Sequence, residues 1–117
     1  MKYDQFMEPR RRLALLTTLF FETGYRLPLR ALQGKVATIG YAETMDRIRT
    51  DAAWLSEQGL IEISADVATL TERGSEIVNG LAVTPGVSRP APGEIKELRQ
   101  LLITAGIASA QAELRGE

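Results

Sequence analysis

The stretch from Trp54 to Gly74 restricts this chain more than any other. It reads Trp54-Leu55-Ser56-Glu57-Gln58-Gly59-Leu60-Ile61-Glu62-Ile63-Ser64, then Ala65-Asp66, then Val67-Ala68-Thr69-Leu70-Thr71-Glu72-Arg73-Gly74. The pattern Leu-x-x-x-Gly-Leu-Ile closes a helix and launches a strand in one step. Its glycine takes a left-handed turn that other residues resist, and the Leu-Ile pair tucks back under the helix. Leu60 to Ser64 alternates apolar and polar, as a half-buried strand does. Ala65-Asp66 is the expected turn, although it lacks the Asn-Gly or Asp-Gly pair typical of a tight hairpin. Val67 to Leu70 returns as the second strand, and Thr71 caps a short helix running through Ile77 and Val78 to Gly80.

Upstream, helical periodicity predicts three helices. The first spans about Phe6 to Glu22 and carries two apolar stripes. Phe6, Leu13, Leu16 and Phe20 form one; Leu15 and Leu19 form the other, along a line through Glu8 and Arg12. A second stripe needs a second partner. The second helix follows Leu27, with Pro28 in its first turn and Leu29, Leu32, Val36 and Ile39 on its apolar face. Gly40 stops it. Thr44 is the predicted cap of the third helix, and Asp46 in its first turn suits the helix dipole. Met45, Ile48, Ala52 and Leu55 share its core face, while Arg47, Arg49, Thr50 and Trp54 lie off it. Trp54 is expected under the hairpin as core, with a protein-contact anchor as the other reading.

From Val83 to Gly93 the sequence holds three prolines and two glycines, a composition that predicts an extended linker. A last helix follows from about Glu94 to Leu114 or Arg115. The chain therefore divides into a domain over 1–82, a linker over 83–93 and a helix over 94–117. The expected fold class is mainly α with a small β-hairpin.

Composition narrows the chemistry. The 117 residues contain no Cys and no His, which removes thiolate nucleophiles, imidazole bases and the commonest transition-metal ligands. No P-loop, GxGxxG or GxSxG is present. Acidic residues run in single file along predicted helices rather than in pairs. These features argue against an enzyme and against any cofactor or metal. No apolar run approaches the roughly 20 residues of a membrane span, and no secretory leader is visible at the N-terminus, so the expected location is cytoplasmic.

Helix, helix, helix, hairpin, capped helix, with the two motifs at Leu55–Ile61 and Leu70–Gly74, resembles the winged-helix family of bacterial regulators. In that family Leu-x-x-x-Gly-Leu closes the recognition helix and Leu-Thr-x-x-Gly follows the wing. Further motifs are similar to a family of small proteins of Mu-like prophages, labelled arsenical-repressor-like by fold. They are Glu8-Pro9-Arg10-Arg11-Arg12-Leu13, Gly24-Tyr25-Arg26-Leu27, Ile48-Arg49-Thr50-Asp51, Val83-Thr84-Pro85-Gly86-Val87 and Arg89-Pro90, spread over roughly residues 5 to 92. The resemblance implies a winged helix-turn-helix. Metal sensing does not carry over, because the sensing members use Cys or His.

The expected function is sequence-specific binding of double-stranded DNA by a phage or prophage regulator. Its third helix would enter the major groove with Thr44, Arg47, Arg49 and Thr50 toward bases and phosphates. Tyr41, Lys35 and Arg30 would add backbone contacts. Several features oppose this. Net charge is −1, residues 1 to 90 hold 11 acidic and 11 basic side chains, and the hairpin tip has no Lys or Arg. Asp46 and Asp51 would sit beside the reading arginines and repel phosphate, while Arg10-Arg11-Arg12 reads as a solvated helix end, with phosphate contact as the other reading. The alternative is a non-enzymatic winged-helix adaptor that binds a phage or host protein during assembly or packaging.

The last helix carries a heptad seam: Ile95, Leu98, Leu102, Ala105, Ser109 and Ala112 recur at alternating steps of three and four. A seam needs a partner helix. The expectation is a homodimer through this seam, with Leu15 and Leu19 of the first helix as the surface covered, in the same chain or the other. The linker's prolines are expected to hold the helix away from its own domain. Closure of its own monomer is the alternative.

Overall fold

In this computed structural model the backbone is described over residues 3–114, and side chains over 3 and 5–107. The elements are α1 (Tyr3–Phe20), a one-turn 3-10 helix (Thr23–Tyr25), β1 (Arg26–Pro28), α2 (Leu29–Thr38), α3 (Met45–Glu57), β2 (Ile61–Ser64), β3 (Val67–Leu70), α4 (Glu72–Val78) and α5 (Glu94–Leu114). Among the described residues the fold is mainly helical, with one small antiparallel sheet of order β1-β3-β2. This arrangement is compatible with a winged helix. No helix among the described residues is long and apolar enough to cross a membrane.

The core forms around α1. Every residue from Arg11 to Leu19 is buried, because α2, α4, α5 and β3 pack on it from different sides. Its two stripes are thus both used within the chain: Leu13 and Leu16 are fully enclosed, and so are Leu15 and Leu19. Phe6, expected on the core face, is 51% exposed, since the helix begins before the layer of neighbours does. Leu32 and Val36 of α2, Ile48 and Leu55 of α3, and Leu60, Ile61 and Ile77 complete the core.

The expected cap and turn positions fit the structure. Thr44 accepts a hydrogen bond from the Arg47 amide at 3.2 Å, and Thr71 accepts one from the Gly74 amide at 3.1 Å. Gly59 adopts φ +76° between α3 and β2. Gly74 has a different reason to be glycine. A Cβ there would lie 2.2 Å from the Leu60 carbonyl oxygen and 2.6 Å from Leu70 Cδ1, so the second motif marks a close approach of α4 to the start of β2.

The sheet has three strands where two were expected. β1 pairs with β3 over Arg26↔Thr69, Leu27↔Ala68 and Pro28↔Val67. It is three residues long and holds a proline, tolerated here on an edge strand, so no alternation announced it. The hairpin turn is Ala65-Asp66, with φ +51° and +62°. Two positive values define the turn that fits twisted strands, and each costs a non-glycine residue stability. Tertiary contacts offset that cost: the Asp66 carbonyl accepts from the Leu29 amide at 2.8 Å, and its carboxylate binds Arg49.

Residues 83–93 form neither helix nor strand, as their composition predicts, but they do not hold α5 away. Thr84 and Val87 are buried, and the Ser88 amide donates to the Pro9 carbonyl at 3.1 Å. The segment lies against α1 and delivers α5 onto α1 and α2. The α5 seam consequently faces its own chain. Leu98 is 7% exposed, and Ile95 and Leu102 pack on the core, with Ala105 half-buried beside them. The side chains of Ser109 and Ala112 lie outside the described residues.

Candidate nucleic-acid interface and the buried arginine pair

Four of the expected contact residues lie on α3 or at its cap, off the core face of the helix. Thr44, Arg49 and Thr50 are exposed and Arg47 is half-buried, because the core face of the helix is taken by Ile48, Ala52 and Leu55. Part of their hydrogen-bonding capacity is spent locally. The Thr44 hydroxyl caps the helix, and the Thr50 hydroxyl donates to the Asp46 carbonyl at 2.8 Å.

Arg49 is clamped. Its two terminal nitrogens donate to the two carboxylate oxygens of Asp66 at 2.8 and 3.0 Å. The hydrogen bond and charge of Arg49 lower the Asp66 carboxyl below its usual value, with Arg30 contributing by charge. Asp66 in turn raises Arg49. The bond ties the hairpin tip to α3, and the Leu29 amide ties the same turn to α2. Asp66 was not among the expected site residues. The spacing of Arg49 and Asp66 follows from the hairpin register, which neither residue signals locally.

Of the other three expected residues, Arg30 is exposed on α2, and Lys35 and Tyr41 lie elsewhere. Lys35 pairs with Glu22 at 2.6 Å and borders a groove of about 530 Å³ with Leu102 and Gly106 of α5. Tyr41 lines a shallow cleft with Arg10, Ala91 and Leu98. Both belong to the α5 side, not to the surface of α3 and the hairpin, because α5 folds back onto the ends of α1 and α2.

Asp51 is the largest departure from expectation. It is 1% exposed and repels nothing at the surface. Arg11 binds it through Nε and, at 3.2 Å, through Nη2, and Arg12 Nε stands 3.5 Å away. Arg11 and Arg12 are therefore buried, not a solvated helix end. Burial alone would lower Arg11, but the hydrogen bond and charge of Asp51 outweigh it and raise the guanidinium. Arg10 alone of the three is exposed, over the Phe6 ring at 5.3 Å.

Arg12 links three segments. Its guanidinium stacks over Trp54 at 3.9 Å, pairs with Glu8 at 2.9 Å and donates to the Gly86 carbonyl at 3.1 Å. Trp54 thus packs under Arg12 and against residue 86, half-buried at the edge of the core. One sequence signal was present: Asp51 sits three after Ile48 and four before Leu55, on the core face of α3, where a carboxylate requires a buried cation.

No family model matches the chain, and no solved structure matches it. The chain is 33% identical over 86 residues to a protein of Escherichia phage Mu, described as uncharacterized protein gp26. The match takes in 70% of this chain and 88% of the phage protein. The chain belongs to the family of that phage Mu protein.

Proposed function

We propose that this chain is a winged-helix protein of phage or prophage origin that binds duplex DNA as a dimer, with α3 as the reading helix. The observation that carries the reading is the placement of α3. It follows α2 across a short connection, Thr44, Arg49 and Thr50 in and just before its N-terminal half are exposed, and a β2–β3 hairpin stands beside it, pinned by Asp66. Arg47 and Arg49 are the base and phosphate contacts in this reading. Asp66 orients Arg49 through both of its terminal nitrogens. The pair is exposed, and such pairs exchange readily for another anion. The dimer uses the outer side of α5, where Ile103 and Ile107 are 40% and 55% exposed one turn apart.

The Arg49–Asp66 clamp also favours a second reading, a protein adaptor. Both terminal nitrogens of the reading arginine are already satisfied, and the hairpin tip offers a carboxylate where a DNA-binding wing offers a cation. The two readings separate by selection of bound duplexes from a random pool, followed by a salt titration. DNA binding predicts an enriched sequence whose affinity falls linearly with the logarithm of salt. Arg49→Ala then weakens binding about ten- to a hundredfold at that sequence, and Asp66→Ala strengthens it. Absence of salt-dependent binding to any selected duplex overturns the DNA reading in favour of the adaptor.

A further inference from the structure

We propose that residues 84–88 form a strap that mechanically couples the seating of α5 to the setting of α3, with the Arg12 guanidinium as the shared joint. The segment resembles a free linker in composition but not in contacts. Thr84 and Val87 are buried, the Val87 amide turns back to the Thr84 carbonyl at 3.1 Å, and the Ser88 amide donates to the Pro9 carbonyl at 3.1 Å. At the apex, Gly86 adopts φ +95°. A Cβ there would lie 2.7 Å from Trp54 Cζ2 and 3.1 Å from Arg12 Nη1. The backbone thus passes against the indole, and no other residue type fits without displacing it.

Arg12 meets both sides of this contact. It donates to the Gly86 carbonyl, and it also lies 3.5 Å from Asp51 and over the ring of Trp54, both on α3. The strap, α1 and α3 therefore share one cation. After residues 89–93 the chain enters α5, whose Leu98 is buried on the core and whose first turn is tied by the Ala91 amide donating to Glu94 Oε1 at 2.8 Å. Shifting α5 pulls on the strap, and shifting the strap withdraws one partner of Arg12. Arg12 Nε and the Thr84 hydroxyl are buried without a hydrogen-bond partner among the described residues. Groups left so are unfavourable and persist where the surrounding contacts over-determine them. The contacts of Arg12 to Asp51, Trp54, Glu8 and Gly86 are what hold the joint in place.

The coupling is reciprocal, so it can be read from either end. In Gly86→Ala, hydrogen exchange is expected to speed up about tenfold or more in the strap, in 94–107 and in 45–57, with helix content by circular dichroism unchanged. Ser88→Pro, which removes the donor to Pro9 and leaves Trp54 and Arg12 in place, is expected to give the same pattern more weakly, and it decides the matter if the glycine variant does not fold. From the other end, Leu98→Ala loosens α5 on its core side. Trp54 is the only tryptophan, and its emission is expected to shift to the red and to become more accessible to iodide. Faster exchange confined to the strap, with α3 and α5 as in wild type, would overturn the proposal. So would a Leu98→Ala protein whose Trp54 quenching matches wild type.

Discussion

Glycines 59 and 74 stand in the two motifs that announced the fold, and they are there for opposite reasons. Gly59 has a backbone that side chains resist, φ +76°, but open space around it; Gly74 has no space at all. Gly59→Ala is expected to cost about 1 kcal/mol of stability. Gly74→Ala forces a Cβ into the Leu60 carbonyl and is expected to cost about 3 kcal/mol or more. Urea unfolding of the two variants checks the ranking, and equal losses would contradict it. The buried arginines teach a related lesson. A run of three arginines ordinarily faces water. Arg11 and Arg12 do not, because each finds a partner on an element distant in sequence. Such pairing is decided by packing, which local composition does not report.

At the scale of elements, the hairpin is the informative unit. Its strands, its two-residue turn and the caps on either side were legible from residues 55–74, since alternation, glycine and Thr-x-x-Gly act over a few positions. β1 was not legible, because three residues carry no period. Nor was the turn's anchor legible, because the Asp66–Arg49 bond depends on where the finished hairpin points. That bond has a pH consequence. The Asp66 carboxyl lies below its usual value, first through the hydrogen bond from Arg49 and then through its charge. A lowered carboxyl contributes stability above its unfolded value and loses it as pH falls through the folded one. The hairpin tip is therefore expected to loosen only in acid, below the ordinary carboxylate range. Carboxyl chemical shifts of Asp66 should titrate below free aspartate in wild type and near it in Arg49→Gln. Identical midpoints in the two proteins would contradict the clamp.

For the molecule as a whole, the main revision concerns α5. A heptad seam reads equally well as a dimer strip or as one wall of a monomer core, because both bury the same stripe. The seam residues Leu98 and Leu102 turn inward, leaving Ile103 and Ile107 outside. The two positions now make separable predictions. Leu98→Ala is expected to lower unfolding stability by about 2–3 kcal/mol without changing mass in sedimentation. Ile103→Glu combined with Ile107→Glu is expected to leave unfolding nearly unchanged and to convert a dimer to a monomer. A wild-type protein that sediments as a monomer at micromolar concentration would remove the dimer from the proposed function.

The strand order β1-β3-β2 also sets a sequence of events in time. β2 and β3 meet across a two-residue turn, and such hairpins close within about 1–10 μs. β1 reaches β3 only by joining Leu27 to Ala68, closing a loop that contains all of α2 and α3. Loop closure of that span is entropically costly until intervening contacts repay it. The edge of β3 that receives β1 is consequently expected to pair last, after α2 and α3 have packed. An unpaired strand edge is a template for other chains, so a nascent chain halted before α2 docks is the form most prone to associate wrongly.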